Sequence, residues 1–242
     1  MNLGPDGFSG GDPTDFDGTQ ISVGRFAGGS FQDVFVYSPG RGAGIMRGYG
    51  DGTPMRSSND TVLISIANFW DENGFDPIEL VRAGSQPGQT IPDLIGTAGT
   101  DATGYYLNYF PSSDSIGFYP MVYSLTRPTP AGDLAWNTWT LASTATADGK
   151  ATLFLWQKTT GKLYAWRDVT FDSEAKELSY TEQHLSDSFY PGQSVTLQAS
   201  DINGDDVADL WAVGPTATAT PWTVTASGAI TAGPAQPITP AP

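Results

Sequence analysis

The chain contains no cysteine and only one histidine, His184. The first absence removes disulfides and thiolate metal sites, without fixing the compartment in which the protein works. The second removes most nucleophilic schemes. A Ser–His–Asp triad would have to use His184, and its context YTEQHLSD has neither a nucleophile elbow nor an oxyanion-hole glycine run. With one histidine and no thiol, zinc also lacks ligands. Basic residues are scarce, 11 Lys+Arg against 26 Asp+Glu, for a net charge of −15. That balance argues against nucleic acid and against anionic membrane surfaces, both of which require Lys and Arg. No run of ~18 apolar residues is present, so membrane insertion is not expected. The opening MNLGPDGFSGGDP has no basic n-region and no apolar h-region, so no signal peptide is legible in it. Convincing amphipathic helical runs are missing as well. The glycine-rich pieces SPGRGAG and FAGGS lack the Lys-Ser/Thr and the following helix of a phosphate loop and read as hairpin turns.

What the chain has in quantity is glycine (29), proline (18), aromatic residues and aspartate. This composition suits many short strands joined by tight turns, and 242 residues are enough to bury a full core. The expected fold class is all-β. Residues 1–20 read as a loosely ordered lead-in or closing strand, 21–231 as one domain, and the Pro/Ala/Thr-rich 232–242 as a linker tail. Further modules are expected after such a linker.

The most informative stretch is SVTLQASDINGDDVADLWAV, ending at Val213. Thr196–Ala199 and Leu210–Val213 read as antiparallel strands. Between them Asp201, Asn203, Asp205 and Asp209 occupy positions 1, 3, 5 and 9 of one loop, and the carbonyl of Val207 occupies position 7. Alternate oxygen-bearing side chains on a tight turn are what a hard cation with six to eight oxygen ligands at about 2.3–2.6 Å requires. The plain alternative is an Asp/Asn/Gly turn that hydrogen-bonds its own backbone. An EF-hand is excluded, since no Glu stands at position 12 and strands flank the loop.

The strand–DxNxDxxxD–strand unit resembles the calcium loops of FG-GAP (VCBS-type) repeats, found in integrin α-subunits and secreted bacterial proteins. Asp206 stands where that family has Gly, so this residue is expected to adopt a left-handed conformation. The resemblance implies a β-propeller, a structural Ca²⁺ and an exported protein. Internal repetition fits it. Five copies of a strand–turn–strand–turn–strand pattern place apolar second strands at Val34–Tyr37, Ile78–Val81, Tyr106–Phe110, Leu153–Trp156 and Leu210–Val213. Their spacing averages about 44 residues, the range of four-stranded blades, so five blades are expected. Only the last copy keeps the full ligand set. The second, aligned on Asp76, retains Asn68, Glu72 and Asp76 as a doubtful site, and the first keeps Asp33 with Arg25 in place of a cation.

Trp156 and Trp211 are expected between blades. Trp70, Trp136, Tyr119 and Tyr190 fall in turns or beside prolines, where an aromatic face next to Asp and Asn suits a sugar ring and its hydroxyls. The expected function is therefore a non-enzymatic, lectin-like extracellular module that binds a glycan or cell-surface protein. The alternatives are a structural or docking propeller segment of a larger secreted bacterial protein, or a glycosidase-like enzyme. A glycosidase needs two carboxyls about 5–10 Å apart, which sequence spacing alone does not pair.

Overall fold

A computed structural model describes residues 18–51, 61–71, 73–85, 89–113, 118, 121–145 and 150–238. Apart from turns, loops and two short 3₁₀ turns, the described chain is all β-strand, in four antiparallel sheets whose strands follow sequence order. The first comprises β1 (Gln20–Gly24), β2 (Asp33–Ser38), β3 (Gly42–Met46) and β4 (Thr61–Ile64). The second comprises β5 (Glu79–Arg82), β6 (Leu94–Thr100), β7 (Gly104–Phe110) and β8 (Tyr123–Leu125). The third comprises β9 (Trp139–Ala145), β10 (Ala151–Gln157), β11 (Lys162–Asp172) and β12 (Glu177–Ser186). The fourth comprises β13 (Thr196–Ser200), β14 (Asp209–Gly214), β15 (Thr218–Val224) and β16 (Ile230–Ala232), with β17 (Gln236–Pro237) also pairing β15.

These sheets are the blades of a β-propeller with four blades, and the expectation of five is corrected. Two segments taken for second strands, Ile78–Val81 and Tyr106–Phe110, belong to one sheet, as its first strand β5 and third strand β7. The strand between them, LIGTAGT, was hidden by its glycines. Gly96 is required there: a Cβ on it would lie 2.2 Å from the Glu79 carbonyl oxygen on the neighbouring strand. First strands begin at Gln20, Glu79, Trp139 and Thr196, so the true period is about 60 residues. The stretch expected as a linker tail from Ala232 also contributes to the fourth blade through β17, and Ile238 N–H donates to the Ala217 carbonyl at 2.7 Å.

Local sequence explains the turns. Ser38-Pro39-Gly40-Arg41 closes β2 on β3 with an Arg41 N–H to Ser38 carbonyl bond of 3.0 Å, and Gly40 at φ +74° supplies the positive φ that a type II turn demands after proline.

Blade packing follows one rule. Paired residues in an antiparallel sheet share a face, so each blade has a front and a back. The front of the first blade (Phe35, Tyr37, Ala43, Ile45) packs on the back of the second (Leu80, Leu94, Phe110). The front of the second (Val81, Ile95, Leu107, Tyr109) packs on the back of the third (Trp139, Leu141, Leu153, Leu155, Trp166). The front of the third (Ala142, Phe154, Trp156, Leu163) packs on the back of the fourth (Leu197, Leu210, Ala212). Trp156 is thus buried between blades, while Trp211 is only half-buried on the front of the fourth blade.

Candidate functional site

The 201–209 loop is a hairpin connection: β13 and β14 pair from Thr196↔Val213 to Ser200↔Asp209. Asp206 has φ +63°, the left-handed conformation expected of it. Within the loop Asp201 Oδ1 accepts from the N–H groups of Gly204 (2.7 Å) and Asp205 (3.2 Å), and its Oδ2 from Asp206 (3.1 Å). Asp205 Oδ1 accepts from Val207 N–H at 2.9 Å, and Asn203 Nδ2 donates to Asp205 Oδ2 at 3.1 Å. Asp201, Asn203 and Asp205 are exposed.

Asp209 is different. It is fully buried, and both its oxygens are engaged by backbone amides, Oδ2 by Ile202 (3.1 Å) and Oδ1 by Val224 (2.7 Å). The same device recurs. Asp33, the first residue of β2, accepts from Ala27 N–H (2.7 Å) and Gly48 N–H (3.0 Å). Asp93, immediately before β6, accepts from Ser112 through its N–H (2.7 Å) and hydroxyl (2.9 Å), and from the Tyr109 hydroxyl. In three blades, therefore, a buried Asp at the root of the second strand holds the end of the third strand or the residues just beyond it, and in the first and fourth blades it also ties in the loop that precedes it. In the third blade the equivalent position is held by Thr152, which is buried but carries no carboxylate. Arg25, expected to partner Asp33, is exposed, and the carboxylate is held by amides instead.

The donor chemistry of Asp201, Asn203, Asp205 and the Val207 carbonyl fits a hard cation, because a carboxylate that accepts one or two N–H bonds keeps further lone pairs. Among the described residues, no group of three or more His, Asp or Glu is gathered closely enough to hold a metal by carboxylates alone. Of the second candidate set, the structure describes Asn68 and Asp76. Asn68 lies in a 3₁₀ turn (Ile66–Phe69), Asp76 Oδ2 accepts from Gly40 N–H at 2.7 Å, and Glu72 lies outside the described residues.

The four first strands line a cavity of about 400 Å³, walled by Gln20 and Ser22, Glu79 and Val81, Thr140 to Ser143, and Thr196 to Gln198. Glu79 Oε2 accepts from Leu141 N–H at 2.6 Å, and Oε1 lies 3.7 Å from Lys158 Nζ. Burial pushes its carboxyl above the ordinary range, against the opposing pull of the Leu141 amide and Lys158. One interface earlier, Gln20 Oε1 accepts from Leu80 N–H in the same way. Glu79 is thus a clasp between adjacent first strands, and it is the one carboxylate among the described residues of the cavity wall.

Of the aromatic candidates, Trp70 is 50% exposed and adjoins a polar turn. In that turn Asp71 Oδ1 accepts from Asn73 N–H (2.8 Å) and Phe75 N–H (3.0 Å), and the Tyr106 hydroxyl donates to Asp71 Oδ2. Trp136 is corrected: it opens a 3₁₀ turn, is fully buried edge-on to Trp166 at 5.8 Å, and its Nε1 donates to the Arg127 carbonyl at 2.7 Å. No ring face is left for a ligand. Tyr190 is half-buried beside Phe189 and Trp222, and Trp222 Nε1 donates to its oxygen at 3.3 Å. Tyr119 lies outside the described residues. His184 is exposed, edge-on to Tyr164, with Nε2 3.1 Å from Asp187 Oδ1.

Comparison with family models and with curated proteins gives no match. The resemblance to FG-GAP loops therefore rests on the sequence of residues 201–209.

Proposed function

We propose that the chain is a non-enzymatic extracellular binding module of lectin type, in which the 201–209 loop takes a structural Ca²⁺ and the surface at Trp70 meets a glycan or cell-surface protein. The observation that carries the recognition half is Trp70 itself. A half-exposed indole costs apolar hydration, and the adjoining turn offers Asp71, Asn73 and Tyr106 as polar partners. A flat apolar face beside a few fixed acceptors and donors is the combination that a pyranose ring with its hydroxyls selects. The test is a glycan array probed with the intact chain and with Trp70→Ala. Selective signals that free sugar competes away, and that the variant loses with its melting temperature unchanged, are the expected result. An array without selective signal would refute the lectin reading.

Calcium, when bound, would neutralise the carboxylates of the turn and stabilise the folded hairpin by mass action. Ligand at 100 times its dissociation constant adds about 2.7 kcal/mol. Chelation by EDTA is therefore expected to lower the melting temperature of the parent by several degrees. Asp205→Ala should melt like the chelated parent and be indifferent to EDTA. Identical melts of the parent with calcium and with chelator would remove the metal from this reading.

The docking-segment reading has separate support in the exposed apolar residues Ile21, Val23 and Leu63 on the outer face of the first blade. A glycosidase reading would need a second carboxyl opposite Glu79.

A further inference from the structure

Three apolar clusters join four blades, and among the described residues none joins the fourth blade to the first. The consequence is visible at equivalent positions. The clasps Gln20 to Leu80 and Glu79 to Leu141 set the correspondence between the first three first strands, and the pairing of Asp33 with Gly24 and of Asp209 with Ser200 extends it to the fourth, placing Ile21, Leu80, Leu141 and Leu197 at one position on the backs of their blades. Leu80, Leu141 and Leu197 are 1%, 4% and 4% exposed, whereas Ile21 is 42% exposed. Its row across the sheet continues through Val36 and Gly44 to Leu63, which is 46% exposed, and the next row begins at Val23, which is 53% exposed. On the fronts, Phe35, Ile95 and Phe154 occupy one position and are buried, and Trp211 is their half-buried counterpart in the last blade. Val213, Ala219 and Pro221 share that front.

Both terminal faces thus keep the composition of blade interfaces. A terminal repeat that ends in solvent ordinarily has a polar outer face. Their kinds are complementary: a back takes a front at every interface in the molecule, the first blade offers a back on which Ile21, Val23 and Leu63 stay exposed around the buried Val36, and the last blade offers the front around Trp211. We propose that the chain associates head to tail with a second copy of itself, the front of the fourth blade, around Trp211, seating on the back of the partner's first blade, around Ile21, Val23 and Leu63. Such a contact is heterologous, one patch meeting a different patch. The molecule's negative charge opposes it, so salt, by screening the repulsion, strengthens the association.

Sedimentation equilibrium of the intact chain over a wide concentration range, at low and high salt, is the test. The expected result is a mass rising above the monomer with concentration, and more so at high salt. Ile21→Glu and Trp211→Arg should each be monomeric, and mixing the two should restore a dimer, because each retains the face that the other lacks. Leu63→Glu, on the outermost strand of the same face, repeats the experiment should Ile21→Glu fail to fold, as judged by circular dichroism and melting. A parent that stays monomeric at every concentration, its ends closed on each other or kept for another partner, overturns the proposal. So does a Trp211→Arg variant that still dimerises, since that result requires like faces to meet.

Discussion

Replacing Asp209 with Ala is expected to destabilise the protein by about 3–5 kcal/mol, with or without calcium. The residue is fully buried and holds the amides of Ile202 and Val224, one from the hairpin loop and one from the third strand of its blade. Its removal leaves two buried donors without an acceptor and opens a small cavity as well. For a domain of this length the melting temperature should fall on the order of 10 °C. Persistence of the loss in EDTA is the diagnostic point. A residue that served chiefly as a metal ligand would matter only when metal is present, as Asp205→Ala is expected to do. Asp33→Ala in the first blade should show a similar loss with no calcium dependence, because it performs the same task without the DxNxDxxxD spacing. If Asp209→Ala and the parent melt together in chelator, the fastening role is wrong.

Glu79→Gln should stabilise the protein at neutral pH. Burial raises the Glu79 carboxyl above its ordinary range, so the folded chain holds that proton more tightly than the unfolded chain does. Between the unfolded and folded titrations the native state binds more protons, and stability contributed by this group falls as pH rises. The contribution is fully present below the ordinary carboxylate range and lost above the raised one. Glutamine has no proton to lose, and Gln20 performs the same clasp on Leu80 in the first blade. Denaturant midpoints measured against pH should therefore show the variant and parent agreeing in acid and separating as pH rises, with the variant the more stable. A variant that is weaker at neutral pH would mean that the ion pair with Lys158, half in solvent, outweighs the burial cost.

The sequence was most transparent where chemistry is local. The hairpin around 201–209 and the left-handed Asp206 followed from residue types alone, because a turn is decided by the residues within it. The number of blades did not follow, because β6 is built on Gly96 and Gly99 and so lacks the apolar run used to recognise second strands. A better marker was present: DVFV, DLIG and DLWA each open a second strand with the fastening aspartate. What made it hard to see is that its partners, amides such as Gly48 and Val224, lie 15 residues away in the chain. Trp136 departs from its expected exposure for a related reason. Its flanking turn residues read as a surface loop, yet tertiary packing against Trp166 draws that turn into the space between the second and third blades.

Each blade is one uninterrupted segment, and each after the first packs its back on the front of the blade before it. A chain emerging from the ribosome can complete one sheet before the next is made, and every newly finished sheet finds its seat already waiting. At each step the growing protein offers the same kind of landing surface for what comes next. The surface around Trp211 is the last of that series, with the last seat still open when synthesis of these four segments is done.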